Sequence, residues 1–332
     1  MSTVAVLATG GTIATRTDES GTAVARASGQ DLVGDLPLPR GVTVEVEDVF
    51  RVGSFAMTSE HLQRLAVRVD ERLRDDVAGV VITHGTDTTE ESAIFLDLVI
   101  DDPRPIVLTG AQRPADAPDS DGPRNLADAV AVAAHPAARD RGTLVMFDGA
   151  VLPARGTAKS QTLASAAFSA ATGPLGWVRN GSVHMEAVLC RRRGLALGSV
   201  DLNRVRVDIA ASYVGADGTA LRAFAAAGAR GIVLQGTGAG NTTPAVCDTV
   251  AELTGRGLVI VTSTRVPAGA VVPIYGNGGG ADLERAGAIP AGLLRPPQAR
   301  IVLAALLSAH DDVEAVRAAF TGFVEPPPRP SD

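Results

Sequence analysis

Ala78-Gly79-Val80-Val81-Ile82-Thr83, then His84-Gly85-Thr86-Asp87-Thr88-Thr89-Glu90-Glu91, is an apolar run that ends abruptly in hydroxyls and charge. The run is short and β-branched at its centre, the pattern of a strand buried on both faces. From Thr89 to Ile100 the pattern is that of the next helix. Strand, polar turn and helix in immediate succession make half of a βαβ unit. The alternation continues in both directions. Towards the N-terminus, Val4 to Ala8 reads as a buried strand and Val42 to Val49, alternating Val with polar residues, as a half-exposed one. Ser59 to Arg74 places Leu62, Leu65, Ala66 and Val69 on one helical face. Towards the C-terminus come a strand at Pro105 to Leu108, a helix at Gly122 to Ala134 with Pro123 suited to its first turn, and a strand at Thr143 to Phe147. This order predicts an α/β fold with a mostly parallel sheet and helices on both faces.

The chain has 332 residues, long enough for two domains. Order weakens between Pro153 and Val207, a stretch of small polar residues that also carries Arg191-Arg192-Arg193. Beyond it the alternation resumes with a strand at Val207 to Ala211, a helix at Ala220 to Ala227, a strand at Gly231 to Gln235, a helix at Pro244 to Thr254 and a strand at Leu258 to Thr262. Helices from Pro297 and from Asp311 follow. We therefore divide the chain into a larger N-terminal catalytic α/β domain (1–190), a linker (191–209), a smaller C-terminal α/β domain (210–324) and a tail (325–332). The four prolines of the tail predict disorder.

Composition limits the function classes. Net charge is −7, so bulk electrostatics repel nucleic acid and anionic membrane. Apolar stretches such as Ile301 to Leu307 fall short of the roughly 20 residues of a spanning helix. The first residues carry no basic region or cleavage site, and the expectation is a cytoplasmic enzyme. Cys190 and Cys247 do not make a disulfide framework. His61, His84, His135, His184 and His310 are scattered without metal-site spacing, so neither metal nor cofactor is expected.

One count stands out. Of 30 basic residues, a single one is lysine, Lys159. Arginine stays protonated at any accessible pH, whereas a lysine ammonium is tuned by burial and can give up its proton. A lone lysine in an arginine-preferring chain is either a chance survivor or a group needed for proton chemistry.

In open α/β sheets, ligands bind at the carboxyl ends of strands. The first such segment is Ala8-Thr9-Gly10-Gly11-Thr12-Ile13-Ala14. Its glycines let backbone approach a ligand closely. It lacks both nucleotide-loop spacings, and a plain glycine turn with a capping threonine is the alternative. The second is His84 to Glu91. Thr88 or Thr89 would cap the next helix, and the glutamates suit its first turn through the helix dipole. That leaves His84-Gly85-Thr86-Asp87 unexplained, with His84 either catalytic or a hydrogen-bonded structural histidine. The third is Thr109-Gly110-Ala111-Gln112-Arg113-Pro114 with Ser120-Asp121-Gly122-Pro123-Arg124-Asn125, where Asp121 suits a turn into a helix. The fourth holds Lys159. Hydroxyl, carboxylate and amine form a coherent set for acyl transfer: Lys159 held by Asp87 relays a proton through Thr86, and amides at Gly11 stabilise an oxyanion.

These segments resemble the bacterial-type L-asparaginase family, with its asparaginase and glutaminase-asparaginase members. Thr9-Gly10-Gly11-Thr12-Ile13-Ala14 is similar to its first signature and His84-Gly85-Thr86-Asp87-Thr88 to its second. Gly173-Pro174-Leu175-Gly176 and Ser263-Thr264-Arg265-Val266-Pro267 also have counterparts, so the resemblance covers nearly the whole chain. It implies hydrolysis of L-asparagine to L-aspartate and ammonia. Thr12 is then the nucleophile, and Thr86, Asp87 and Lys159 are the second catalytic set. Gly11, Ser54, Phe55, Thr86 and Asp87 bind substrate, and Ala111 lies at its amide end. A homotetramer built from dimers is also implied. Alternatives are a glutaminase or another small-amide hydrolase, an amidotransferase component, and a non-catalytic nucleotide-binding or amino-acid sensor module.

Two departures bear on the site. The family's mobile loop carries a tyrosine, but Thr15 to Gln30 has none; the loop nevertheless reads as a lid. Phe55 stands where many members carry glutamine beside the binding serine. Tyr275, in Pro273-Ile274-Tyr275-Gly276-Asn277, is then the candidate for a hydroxyl contributed by a neighbouring subunit, with a packed interface aromatic as the alternative.

Overall fold

The computed structural model describes residues 2–17, 23–25, 27–34, 36–187 and 194–325. It divides into two compact units, Met1–Leu197 and Gly198–Asp332. The tail after Glu325, Cys190 and the three consecutive arginines lie outside the described residues. So does part of the expected lid, residues 18–22 and 26.

In the first unit the chain runs β1 (Ser2–Ala8), β2 (Thr15–Thr17), β3 (Ala23–Ala25), α1 (Gly29–Val33), β4 (Val42–Asp48), α2 (Ser59–Arg74), β5 (Gly79–Thr83) and α3 (Thr89–Val99). It continues through β6 (Ile106–Thr109), α4 (Gly122–Ala134), β7 (Thr143–Phe147), β8 (Ala150–Pro153), β9 (Thr157–Lys159), β10 (Phe168–Ala170), β11 (Gly176–Arg179) and β12 (Ser182–Met185). The main sheet has the order β12-β11-β8-β7-β6-β5-β1-β4. Strands β4, β1, β5, β6 and β7 are parallel, and β8, β11 and β12 extend the sheet antiparallel. The parallel part is a doubly wound sheet whose order reverses between β1 and β5. Such a reversal leaves a crevice outside the strand ends. Registers of Ala8 with Asp48, Ala8 with Thr83, and Thr83 with Thr109 bring the four strand ends level.

Local chemistry accounts for the elements around that edge. Helix α2 begins at a capping box in which the Thr58 hydroxyl accepts from the His61 amide and the His61 ring from the Thr58 amide. It buries Leu62, Leu65, Ala66, Val69 and Leu73. Leu65 is fully enclosed, and burying such a side chain contributes about 2 kcal/mol. Strand β5 is buried throughout, whereas β4 alternates, as an edge strand with one wet face does. Beneath the sheet Val81, Val107, Leu126, Val130, Leu144 and Met146 join one core.

The stretch after Pro153 is more regular than its composition suggests. Strands β9 and β10 pair as a separate antiparallel ribbon, and β11 with β12 forms the edge hairpin of the main sheet. In the second unit β13 (Val207–Ala211), α5 (Thr219–Ala226), β14 (Gly231–Gly236), α6 (Pro244–Thr254), β15 (Val259–Thr264), α7 (Gly280–Arg285), β16 (Ile289–Pro290), α8 (Pro296–Ala309) and α9 (Val313–Val324) form a parallel sheet in strand order with its helices. The segment expected as linker contains 3-10 turns at Leu197–Ser199 and Leu202–Arg204, and β13 starts inside it.

Candidate active site

Three turns meet at the level strand ends. The first is Thr9 to Thr12. Gly11 sits at φ 80°, ψ −176°, a conformation open essentially to glycine alone. A Cβ there would lie 2.4 Å from both the Cα and the N of Gly85, so the turns after β1 and β5 touch backbone to backbone. Thr12 opens the short 3-10 turn Thr12–Ala14, whose cap position is Gly11. The capping-threonine alternative for this segment therefore fails, because Thr12 is inside the turn rather than before it.

The second turn is His84 to Thr88. His84 is fully enclosed, with Nδ1 2.7 Å from the Gly85 carbonyl oxygen and Nε2 2.8 Å from the Ser92 hydroxyl. Burial pulls its pKa down to about 4, against the Gly85 hydrogen bond, so the ring is neutral at pH 7. Both ring nitrogens are engaged inside the fold, which matches the structural reading of this histidine. The expected hydroxyl cap of α3 is absent. Thr88 instead donates to the Ser54 carbonyl at 2.9 Å, and Thr89 to the Gly85 carbonyl at 2.9 Å. Thr88 thus binds turn to turn, and Thr89 binds the helix start to the turn before it.

The third turn follows β4 and carries Ser54, which is buried. The Asp87 amide donates to the Ser54 hydroxyl at 3.2 Å. A Cβ on Gly85 would lie 2.5 Å from the same oxygen, so this contact also requires glycine. Together the turns enclose a cavity of about 380 Å³ lined by Gly11, Thr12, Thr15, Arg51, Gly53, Ser54, Phe55, Gly85, Thr86 and Asp87. That volume suits a small metabolite. Phe55 is 81% exposed at its rim.

Lys159 reaches this edge from β9. Its ammonium donates to the Thr86 hydroxyl at 2.8 Å and to an Asp87 carboxylate oxygen at 2.8 Å. The lysine side chain is 20% exposed, while that of Asp87 is 51% exposed. The enclosed partner keeps the pair in place and the open carboxylate remains available to a ligand.

Several neighbours make contacts that the sequence did not show. The Thr86 hydroxyl donates to the Gln112 side-chain carbonyl at 3.1 Å, and the Gln112 amide nitrogen donates to the carbonyls of Thr162 and Ala164 at 3.1 Å. Asp121 does not cap α4; its carboxylate accepts from the amides of Gln112 and Arg113 and from the Asn125 side chain. Glu90, expected to serve the helix dipole, is buried and accepts the Lys159 main-chain amide at 2.6 Å. Arg51 lines the cavity and pairs with Asp48 at 3.0 Å.

Other expected residues are placed differently. Ala111 is fully buried and is not among the lining residues. Tyr275 belongs to the second unit and is 58% exposed, in a loop with the exposed Val272 and Ile274.

Comparison with known proteins places this geometry. Residues 3–190 match the family described as "Asparaginase, N-terminal", and residues 206–320 match the "Glutaminase/Asparaginase C-terminal domain". The chain is 38% identical to a probable L-asparaginase of Deinococcus radiodurans, over 96% of this chain and 97% of the relative. It is 34% identical to L-asparaginase 2 of Escherichia coli, over 96% and 93%. It is 35% identical to a glutaminase-asparaginase of Pseudomonas aeruginosa, over 96% and 90%. A probable cytoplasmic L-asparaginase from Campylobacter jejuni has a solved structure that superimposes with a TM-score of 0.85 at 33% identity, covering 96% of this chain and 99% of that one.

Proposed function

This chain belongs to the asparaginase family and is an amidohydrolase, and from that premise we propose that it hydrolyses L-asparagine to L-aspartate and ammonia through an acyl-enzyme on Thr12. The observation that carries the reading is the placement of Lys159 between Thr86 and Asp87, beside a cavity that also contains Gly11 and Thr12.

The substrate's α-ammonium is held by the exposed Asp87 carboxylate, and its carboxylate end by Ser54 and the turn backbone. This presents the side-chain amide to the Gly11–Thr12 turn, with Ala111 behind the amide end. The Thr12 oxygen attacks the amide carbon, and its hydroxyl proton passes on to the departing nitrogen. Backbone N–H groups at the Gly11 and Gly85 turns stabilise the oxyanion. The C–N bond breaks, the nitrogen takes a proton and leaves as ammonia. Water, activated by Thr86 with Lys159 and Asp87, then hydrolyses the Thr12 ester and releases aspartate. Pre-positioned groups of this kind contribute typically 10²–10⁴-fold each.

Glutamine is the second substrate to test, because relatives of this length include glutaminase-asparaginases. Phe55 at the rim supports weak activity on it. A homotetramer of dimers, with Tyr275 of a neighbouring copy supplying the hydroxyl absent from the Thr15 to Gln30 loop, is supported by the exposed apolar loop around Tyr275. A cytoplasmic location is supported by the likeness to the Campylobacter jejuni protein, itself named as probably cytoplasmic, while a Haemophilus influenzae relative is named periplasmic.

The test is ammonia release from L-asparagine, L-glutamine and D-asparagine by the wild type and by Lys159→Met. Turnover of L-asparagine that collapses in the variant supports the reading. A folded wild type that releases no ammonia from any of the three overturns it.

A further inference from the structure

The strand that carries Lys159 has little to hold it. Strand β9 is three residues long and is outside the main sheet, paired among the described residues only with the equally short β10. An isolated two-stranded ribbon is marginal in water. Yet the Lys159 ammonium meets two oxygens at 2.8 Å, and a displacement of about 1 Å at such a site can cost on the order of 10²-fold in rate. Something other than the ribbon must fix it.

The contact that does so comes from α3. Glu90 lies in the first turn of this helix, three residues after Asp87, and an oxygen of its carboxylate accepts the Lys159 main-chain N–H at 2.6 Å. The carboxylate occupies the place where a third strand would offer a carbonyl. Because α3 continues directly from the turn bearing Thr86 and Asp87, one side chain ties the lysine's backbone to the element that holds both of its partners. Thr89, the next residue towards that turn, donates to the Gly85 carbonyl and locks the helix start to it.

We infer that Glu90 is a positioning residue: by accepting the Lys159 amide it sets the distance from the lysine ammonium to Thr86 and Asp87. Its bearing on catalysis rests on the amidohydrolase reading above. Glu90 is buried, a position that serves neither solubility nor a surface helix-end interaction. The charged groups acting on it are Glu91, its neighbour on α3, and the Lys159 ammonium. Burial, the largest influence, with Glu91 pushes its pKa up to about 7, against the Lys159 amide and ammonium. The acceptor changes charge near neutral pH while remaining an acceptor, since a carboxylic acid keeps its carbonyl oxygen.

The single lysine makes the test direct. Full-length protein labelled with ¹⁵N-lysine gives one backbone amide signal, that of Lys159. In the wild type this signal should lie at low field and move with pH near neutrality. In Glu90→Gln, which keeps an acceptor, it should stay near the wild-type position and lose the pH response. In Glu90→Ala it should move upfield by roughly 1 ppm as the charge-assisted hydrogen bond is lost. Kinetically, Glu90→Ala should lower kcat about 10- to 100-fold with KM within about threefold, and Glu90→Gln should recover most of kcat. Glu91→Gln is the control, with kcat near wild type. An amide signal unchanged in Glu90→Ala overturns the inference, as does an upfield shift with kcat intact. A wild type that releases no ammonia refutes the amidohydrolase reading instead, and the amide signal, which needs no turnover, still decides whether Glu90 holds Lys159.

Discussion

Replacing Glu90 by glutamine should change how the first unit's stability depends on pH, by an amount that follows from two buried groups, one in the turn after β5 and one at the start of α3. Glu90 has its pKa raised by burial from 4.5 to about 7. The folded chain holds this proton more tightly than the unfolded chain does. The stability it contributes is complete below pH 4.5 and lost as pH rises through 7. At about 1.4 kcal/mol per pH unit, that is about 3 kcal/mol. His84 has the opposite sign. Burial lowers its pKa from 6.5 to about 4, so its stabilisation is complete above pH 6.5 and lost as pH falls through 4, again about 3 kcal/mol. Between pH 4.5 and 6.5 the two slopes offset each other, and the wild type should be nearly flat there. Glu90→Gln leaves the His84 slope alone, so the variant should gain stability on the wild type by about 3 kcal/mol from pH 4.5 to above pH 7. The single tryptophan, Trp177, lies on β11 of this unit and reports its unfolding in urea at fixed ionic strength. Parallel stability profiles for the two proteins would refute the reasoning, because they would mean that Glu90 titrates alike in the folded and unfolded chains.

Lys159→Arg keeps the charge but not the compact donor or the ability to surrender a proton; kcat for L-asparagine should fall by at least about 10²-fold with the melting temperature little changed, and near-wild-type turnover would count against a proton relay. Gly11→Ala places a Cβ 2.4 Å from the Gly85 backbone at a φ of 80°, so it should cost about 2 kcal/mol or more of stability and nearly all activity, measured by thermal unfolding and ammonia release. Tyr275→Phe should lower kcat about 10-fold or more without altering the assembly seen by light scattering, and unchanged turnover would leave Tyr275 as a packing residue.

Much of the fold was legible because burial repeats at the period of the element. The spacing of Leu62, Leu65, Ala66 and Val69 delimits α2 at Ser59–Arg74, and the alternation in Val42–Asp48 matches its alternating exposure. Strands β9 and β10 were not legible: three residues of Thr, Ala and Lys against Phe, Ser and Ala carry no period. At the site, the threonine turns and Lys159 stood out by residue type and position after strands. Gln112 did not, because its side chain acts through Thr86, Thr162 and Ala164, far along the chain; nor did Arg51 and Asp121, whose short-range partners become visible only once the turns are folded. Glu90 was hidden differently. A glutamate in a first helical turn already has an adequate local explanation, and only the tertiary structure reveals that its carboxylate faces another strand.

The enclosure of Lys159 also makes the chain a gauge of its own opening. A lysine-specific protease has one peptide bond to cut, between Lys159 and Ser160, and in the folded protein that bond adjoins a ribbon residue whose amide and ammonium are both held. Cleavage into two fragments therefore measures how often β9 lifts away from α3. Ligands that occupy the cavity should slow the cut in proportion to how firmly they close that gap.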